Sequence, residues 1–144
     1  MRQQAIAKRK ERDDKHIKIP EVPSETQHFI LSLTAEELVS AIKSGQVSCV
    51  DATATYMSRA YSIGRDLELT AEEPFEEALS LARDRDRQLK ESPETCGRLH
   101  GLPMSIKDQF QQRGCHSGCG VVHKAMIPDE EDACLLYTSD AADE

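Results

Sequence analysis

The 144-residue chain carries 18 basic and 26 acidic side chains, a formal charge of −8, and 38% hydrophobic residues. That length holds one ordinary domain, whole or as a piece of a larger one, and excludes a large multidomain protein as written. No apolar run is long enough to cross a bilayer, and with no Trp, three Tyr and three Phe aromatic burial is not the main source of a core.

Residues 1–19 hold seven Lys/Arg against three Asp/Glu, a balance of +4. Glu11, Asp13 and Asp14 interrupt the basic run and no apolar face accompanies it, which favours a solvated arm over a surface for nucleic acid or anionic lipid. No apolar stretch of the signal-peptide kind follows Met1, and the acids speak against a transit peptide, so the expected location is cytoplasmic. Pro20, Pro23, Ser24 and their polar neighbours read as a linker, making residues 1–28 an arm and linker ahead of a domain over 29–136.

Thr34-Ala35-Glu36-Glu37 has the form of a capping box. The helix it opens shows Leu38, Ala41 and Ile42 on one face and stops at Gly45. Ser48 caps a second helix, with Asp51 placed to return the bond. Its stripe is Val50, Ala54, Met57 and Tyr61, and Gly64 ends it. The two helices form a tight hairpin. A third helix starts near Pro74, a residue suited to a first turn, and runs to about Glu91-Ser92-Pro93 with Phe75, Ala78, Leu79, Ala82 and Leu89 inward. Arg83-Asp84-Arg85-Asp86-Arg87 reads as its charged outer face, laced by local ion pairs, in preference to a nucleic-acid patch. Beyond it Gly97-Arg98-Leu99-His100-Gly101 reads as a turn-rich approach, after which the period changes to two. Leu102, Met104 and Ile106 share one face and Ser105 and Lys107 the other, as in a strand with Pro103 at its start or on an unpaired side. Gly114, Gly118 and Gly120 punctuate a polar loop, and Asp129-Glu130-Glu131-Asp132 places acids at the first turn of a further helix beginning Ala133-Cys134-Leu135-Leu136.

Two groups of residues invite chemistry. Cys115, Cys119 and His123 form a C-x3-C-x3-H string, but a tetrahedral zinc set comes as two tight pairs, and the fourth ligand would have to be His100 or His116. With five cysteines, an odd number, and no signal peptide, reduced thiols are the expectation, with no metal and no cofactor. Lys107 is the other. An amine at the end of an apolar strand, with the Ser105 hydroxyl two residues back on the same face, can act as a base towards a serine when it is desolvated; the alternative is a lysine reaching from a strand end to solvent.

The segment Leu99-His100-Gly101-Leu102-Pro103-Met104-Ser105-Ile106-Lys107-Asp108 resembles the lysine-bearing segment of the amidase signature family, which reads approximately G-hydrophobic-P-hydrophobic-S/A-hydrophobic-K-D/E. The surroundings are similar too. Two helices of the form "L…I..G..S…V…Y..RA" precede that segment in the family, as over residues 38–60, and a helix with "A-L…A…D" matches Ala78, Leu79, Ala82 and Asp86. Arg113-Gly114 and Ser117 to Gly120 resemble the family's "G…S/T..G" loop, and Asp132-Ala133 the start of its next helix. The resemblance spans about residues 29–136 and is strongest to the fungal acetamidase and animal fatty-acid amide hydrolase branch.

It implies an α/β chain: the N-terminal helical part and first strand of a larger α/β/α fold, incomplete here. It also implies a serine hydrolase of carboxylic amides, fatty-acid amides among them, working through a Ser–cis-Ser–Lys triad with Lys107 as its lysine. Both serines belong in that family to a Gly/Ser-rich stretch after the lysine, and no glycine follows Gly120; Ser105, Ser117 and Ser139 match neither position. The implied partner is a small amide, with no nucleic acid. From about Leu135 the pattern is lost and the chain resembles translated sequencing-adapter read-through, so residues 137–144 are expected to be a non-native tail, a natural acidic tail being the alternative. Two other readings stand beside the hydrolase fragment: a non-catalytic interaction module, and a small zinc domain on Cys115, Cys119 and His123.

Overall fold

A computed structural model describes residues 18–121, 123, 124 and 127–136. The basic arm up to residue 17 and the expected tail at 137–144 lie outside the described residues. The chain divides into two units, one over Ile19–Met104 and one beginning at Ser105.

The first unit is helical: α1 Ser24–Ser32, α2 Ala35–Lys43, α3 Cys49–Arg59 and α4 Phe75–Glu91. Two short elements follow α3 and α4, a π turn at Ala60–Gly64 and a 3-10 turn at Pro93–Thr95. The stretch read as a linker over 20–28 is therefore helical from Ser24 onward. Its apolar residues crowd the far end, where Ile30 is fully buried and Phe29 and Leu33 pack on the core, so tertiary packing holds a helix that its Pro- and Ser-rich start conceals. Pro23 sits just ahead of the first turn, with φ −54°, and its missing N–H costs nothing there.

α2 begins as its sequence requires. The Thr34 hydroxyl accepts the Glu37 amide at 3.3 Å and the Glu37 carboxylate accepts the Thr34 amide at 2.8 Å, closing the capping box; the Thr34 amide and hydroxyl, both bonded to the carboxylate, hold the Glu37 carboxyl below its usual range. At the other end Gly45 has φ +76°. It lets its own N–H reach Ile42 O and the Gln46 N–H reach Ala41 O, both at 2.9 Å, the paired bonds of a Schellman motif.

α3 packs against both α1 and α4, and so is covered on more than one side. Cys49, Ala52, Thr53, Ala54, Thr55 and Met57 are all buried, a wider face than the single stripe through Val50, Ala54, Met57 and Tyr61. The start of α3 is satisfied from two directions. Ser48 Oγ accepts the Asp51 amide at 2.9 Å, but Asp51 returns no bond. The Asp86 carboxylate of α4 instead accepts Cys49 N–H at 2.7 Å and Val50 N–H at 3.2 Å. Asp86 thus leaves the charged outer face assigned to residues 83–87. Arg87 keeps to that face and pairs locally with Asp84 at 2.6 Å. A carboxylate at a helix start fills orphan donors and meets the positive end of the dipole, so it is worth more inside than out.

After α3 the chain passes Gly64 through the π turn before the helical conformation ends, and Glu68 takes φ +55°. Arg65 lies over the Tyr61 ring, 4.1 Å from its centroid, and its Nε donates to both Glu73 oxygens at 3.0 and 3.1 Å. Thr70 Oγ donates to Glu73 at 2.7 Å. This largely buried cluster ties the end of α3 to the approach to α4. α4 spans the expected residues, with Phe75, Leu79 and Ala82 buried and Pro74 just outside its first turn.

The second unit is a loop structure. Residues 102–107 enter no regular element, and the described residues hold no β-ladder, only an isolated parallel bridge between Arg113 and Asp129. The expected strand is not formed here: alternation supplies a face, but a strand exists only with a paired neighbour, and Met104 is 54% exposed.

Asp86→Ala removes two charge-assisted bonds from the start of α3. The helical unit should lose about 1.5–3 kcal/mol, read as a lowered urea midpoint, whereas Asp84→Ala on the exposed face should change it by less than about 0.5 kcal/mol.

Candidate functional site

The residues singled out by sequence fall on both sides of Met104. Ahead of it, His100 and Gly101 belong to the helical unit. His100 is fully buried, and its Nε2 lies 3.0 Å from the Arg85 carbonyl of α4 and 3.7 Å from Cys96 Sγ. Gly101 has φ +73°, and a Cβ built there would stand 2.4 Å from Cys49 Sγ and 3.2 Å from Ile42 Cγ2. Only glycine meets both demands, an otherwise strained conformation and a missing side chain. Leu102 packs on the same core as Cys49 and Ile42. Lys43 donates from Nζ to the Cys96 carbonyl at 3.1 Å, closing the turn-rich approach against α2.

Cys49 is at the centre of this packing. It has no exposed surface. Burial, followed by the bond and charge of the adjacent Asp86 carboxylate, pushes its thiol up to about 12. A thiol so placed is a small apolar residue, not a nucleophile.

Beyond Met104, Ser105 and Lys107 are exposed. The Lys107 amine has no hydrogen-bond or ion-pair partner among the described residues, while its carbonyl accepts Phe110 N–H at 2.9 Å. The loop that follows is organised by carboxylates holding main-chain amides. Asp108 accepts Cys119 N–H at 2.6 Å, a bond that accompanies φ +48° at Cys119. Asp129 accepts Ser117 N–H at 3.1 Å and Gln111 Nε2–H at 3.4 Å, and Asp132 accepts Arg113 N–H at 2.7 Å. The bonds from Ser117 lead those that hold the Asp129 carboxyl below its usual range. The Ser117 hydroxyl donates to Phe110 O at 2.9 Å and lies beside the Asp129 carboxylate, so it is held as part of the loop. Of the four acids expected at a helix start, Asp129 and Asp132 thus hold loop amides. Helical residues 134–136 follow them, as expected, and Ala133 N–H is bonded to Gln111 O at 2.8 Å.

The cysteine and histidine string does not assemble. Cys115 is buried while Cys119 and His123 are exposed, and the described residues gather no group of three or more His, Cys, Asp or Glu able to hold a metal. The zinc-domain alternative has no donor set there to rest on. Nor do the described residues form a helix long and apolar enough to cross a membrane. Sequence reasoning weighed Lys107 and missed Asp86, His100 and Gly101 as determinants of structure. The one signal for Asp86 was its place in the "A-L…A…D" pattern; His100 and Gly101 were legible only as turn residues.

The geometry can be set beside known proteins. The family model described as Amidase matches residues 51–142. "Amidase 2" of Gibberella moniliformis is 35% identical over 133 residues, 92% of this chain and 26% of that protein. The "Acetamidase" of Emericella nidulans is 34% identical over 113 residues, 78% of this chain and 20% of that protein. The "Vitamin D3 hydroxylase-associated protein" of Gallus gallus is 30% identical over 113 residues, 78% of this chain and 23% of that protein. The chain thus spans about a fifth to a quarter of the length of these relatives. No solved structure matches it at a significant level.

The thiols give a direct check. At pH 8 iodoacetamide should label the exposed Cys119 readily, while Cys49 reacts only as fast as the helical unit unfolds. Because the folded Cys49 thiol titrates above its unfolded value of about 8.5, its contribution to stability is complete below that value. It is lost as pH rises towards 12, and a urea midpoint falling over this range, less so in Cys49→Ala, is the expected outcome.

Proposed function

The chain belongs to the amidase signature family, and we propose that it contributes the lysine, Lys107, of a Ser–cis-Ser–Lys triad that hydrolyses small carboxylic amides. The observation that carries this reading is the span of the family match: residues 51–142 enclose the whole segment Leu99–Asp108, all of α4 and α3 from Asp51 onward. The names of the relatives, amidases and an acetamidase among them, support an amide as substrate. The exposed Lys107 amine, without a partner among the described residues, is consistent with a base whose serine partners lie in another part of the protein.

In this reading the residues described are the helical N-terminal part of an α/β/α enzyme, and Leu102–Ile106 becomes a strand when the remaining sheet is present to pair with it. The neutral amine of Lys107 takes the proton of the bridging serine as that serine takes the proton of the nucleophilic one. The nucleophilic oxygen adds to the amide carbonyl carbon, the C–N bond breaks, and the nitrogen leaves carrying a proton returned along the same relay. Water then attacks the acyl-enzyme ester, releasing the carboxylic acid and restoring the serine. Chain length of the acyl group is set by residues outside this stretch, with acetamide-like and fatty-acid amides as the two substrate types to compare.

Two outcomes test this. In the complete enzyme, Lys107→Ala should lower amide turnover by a factor of about 10³ or more with the fold retained by circular dichroism; activity near the unsubstituted level would remove Lys107 from the mechanism. The 144-residue chain by itself should neither turn over an amide nor be labelled by a fluorophosphonate. Labelling at Ser105 or Ser117 would show that the nucleophile had been sought in the wrong place.

A further inference from the structure

Of residues 97–104, which lead into the lysine segment, His100 alone is buried. Its neighbours Leu99 and Met104 are 39% and 54% exposed, so they fasten little. The ring is held by Nε2, 3.0 Å from the Arg85 carbonyl. A carbonyl oxygen only accepts, so Nε2 carries a proton, while Nδ1 is buried and without a hydrogen-bond partner. The contact with Cys96 Sγ at 3.7 Å is the weaker of the two that Nε2 makes. The imidazole is therefore oriented by one bond to α4, and Gly101 allows the backbone beside it to turn against Cys49 with φ +73°. Leu102, whose N–H bonds to Leu99 O at 3.0 Å, completes the turn.

Resting on the role given to Lys107 above, we propose that His100 is a positioning residue for amide hydrolysis: by donating from Nε2 to the Arg85 carbonyl it fixes the turn from which the lysine-bearing segment departs. The chain runs from His100 to Lys107 with no residue of 101–107 in a regular element. The turn over Leu99–Leu102, with His100 buried in it and Leu102 packed on the core, is thus the last place where the helical core holds the backbone ahead of the lysine. Small displacements of a reacting group cost large factors in rate, because the geometry of approach is lost before binding is.

The two amide side chains separate this role from bulk packing. Glutamine places its amide near the position of Nε2 and can still donate to Arg85 O. Asparagine places its amide near Nδ1 and leaves that carbonyl unpaired. In the 144-residue chain, His100→Asn should speed hydrogen exchange at the His100 and Leu102 amides by about tenfold or more, with α3 unchanged, and His100→Gln should not. In the complete enzyme, kcat should fall about a hundredfold in His100→Asn with KM unchanged, and should recover in His100→Gln. Equal behaviour of the two variants, or an undiminished kcat in His100→Asn, would overturn the proposal. Turnover surviving Lys107→Ala would overturn it as well, by leaving nothing to position. That failure is told apart by an exchange difference that persists between the Asn and Gln variants.

Discussion

The helical unit depends on what happens at one residue, Cys49. Its N–H is held by Asp86 of α4, its thiol lies where a side chain on Gly101 would have to be, and it is fully buried within the cluster formed by Ile30, Leu38, Ile42 and Ala82. Helix start, interhelical contact and turn are thereby fixed by the same few atoms. A helix beginning in solvent tolerates many capping residues. This one begins against a carboxylate and a glycine, so the geometry around it admits little variation.

A common device runs through both units: carboxylates are turned inward onto main-chain amides. Asp86 serves α3, while Asp108, Asp129 and Asp132 serve the loop after the lysine. Each holds a peptide group that would otherwise need water or a strand partner. Lys107 shares in none of this. Its amine is exposed and without a partner among the described residues, which suits the role proposed for it.

Local signals survive into the structure where the interaction they describe is itself local. The capping box at Thr34 and Glu37, the Ser48 hydroxyl on the Asp51 amide (though without the returned bond) and the glycine after α2 all involve groups within a few residues of one another, and all are present. What escaped depends on distant partners. α1 takes its stability from Ile30 in the shared core, so its own composition suggested a linker. The alternation of Leu102, Met104 and Ile106 says which way side chains would point in a strand but not whether a neighbouring strand exists. Within the alternating run Asp86 looks like Asp84, set apart only by its place in the "A-L…A…D" pattern, and its contact with the start of α3 is what separates them in the structure. The lysine was legible as a family motif and the residues before it as a turn, whereas the role of His100 was not, since nothing in a His-Gly pair announces that its imidazole is buried.

The arrangement at Asp86 also constrains how this sequence can change. Residues 83–87 alternate in sign at every step, Arg-Asp-Arg-Asp-Arg, and the fourth of them, Asp86, faces the amide end of α3. Inserting or deleting one residue between Phe75 and Asp86 would rotate α4 by about 100° and bring an arginine to the place of the aspartate, setting a cation against the positive pole of a helix. Point substitutions elsewhere on the outer face of α4 are mild by comparison. The length of this helix from its first turn to Asp86 is therefore a quantity that descent must preserve even where the residues themselves drift.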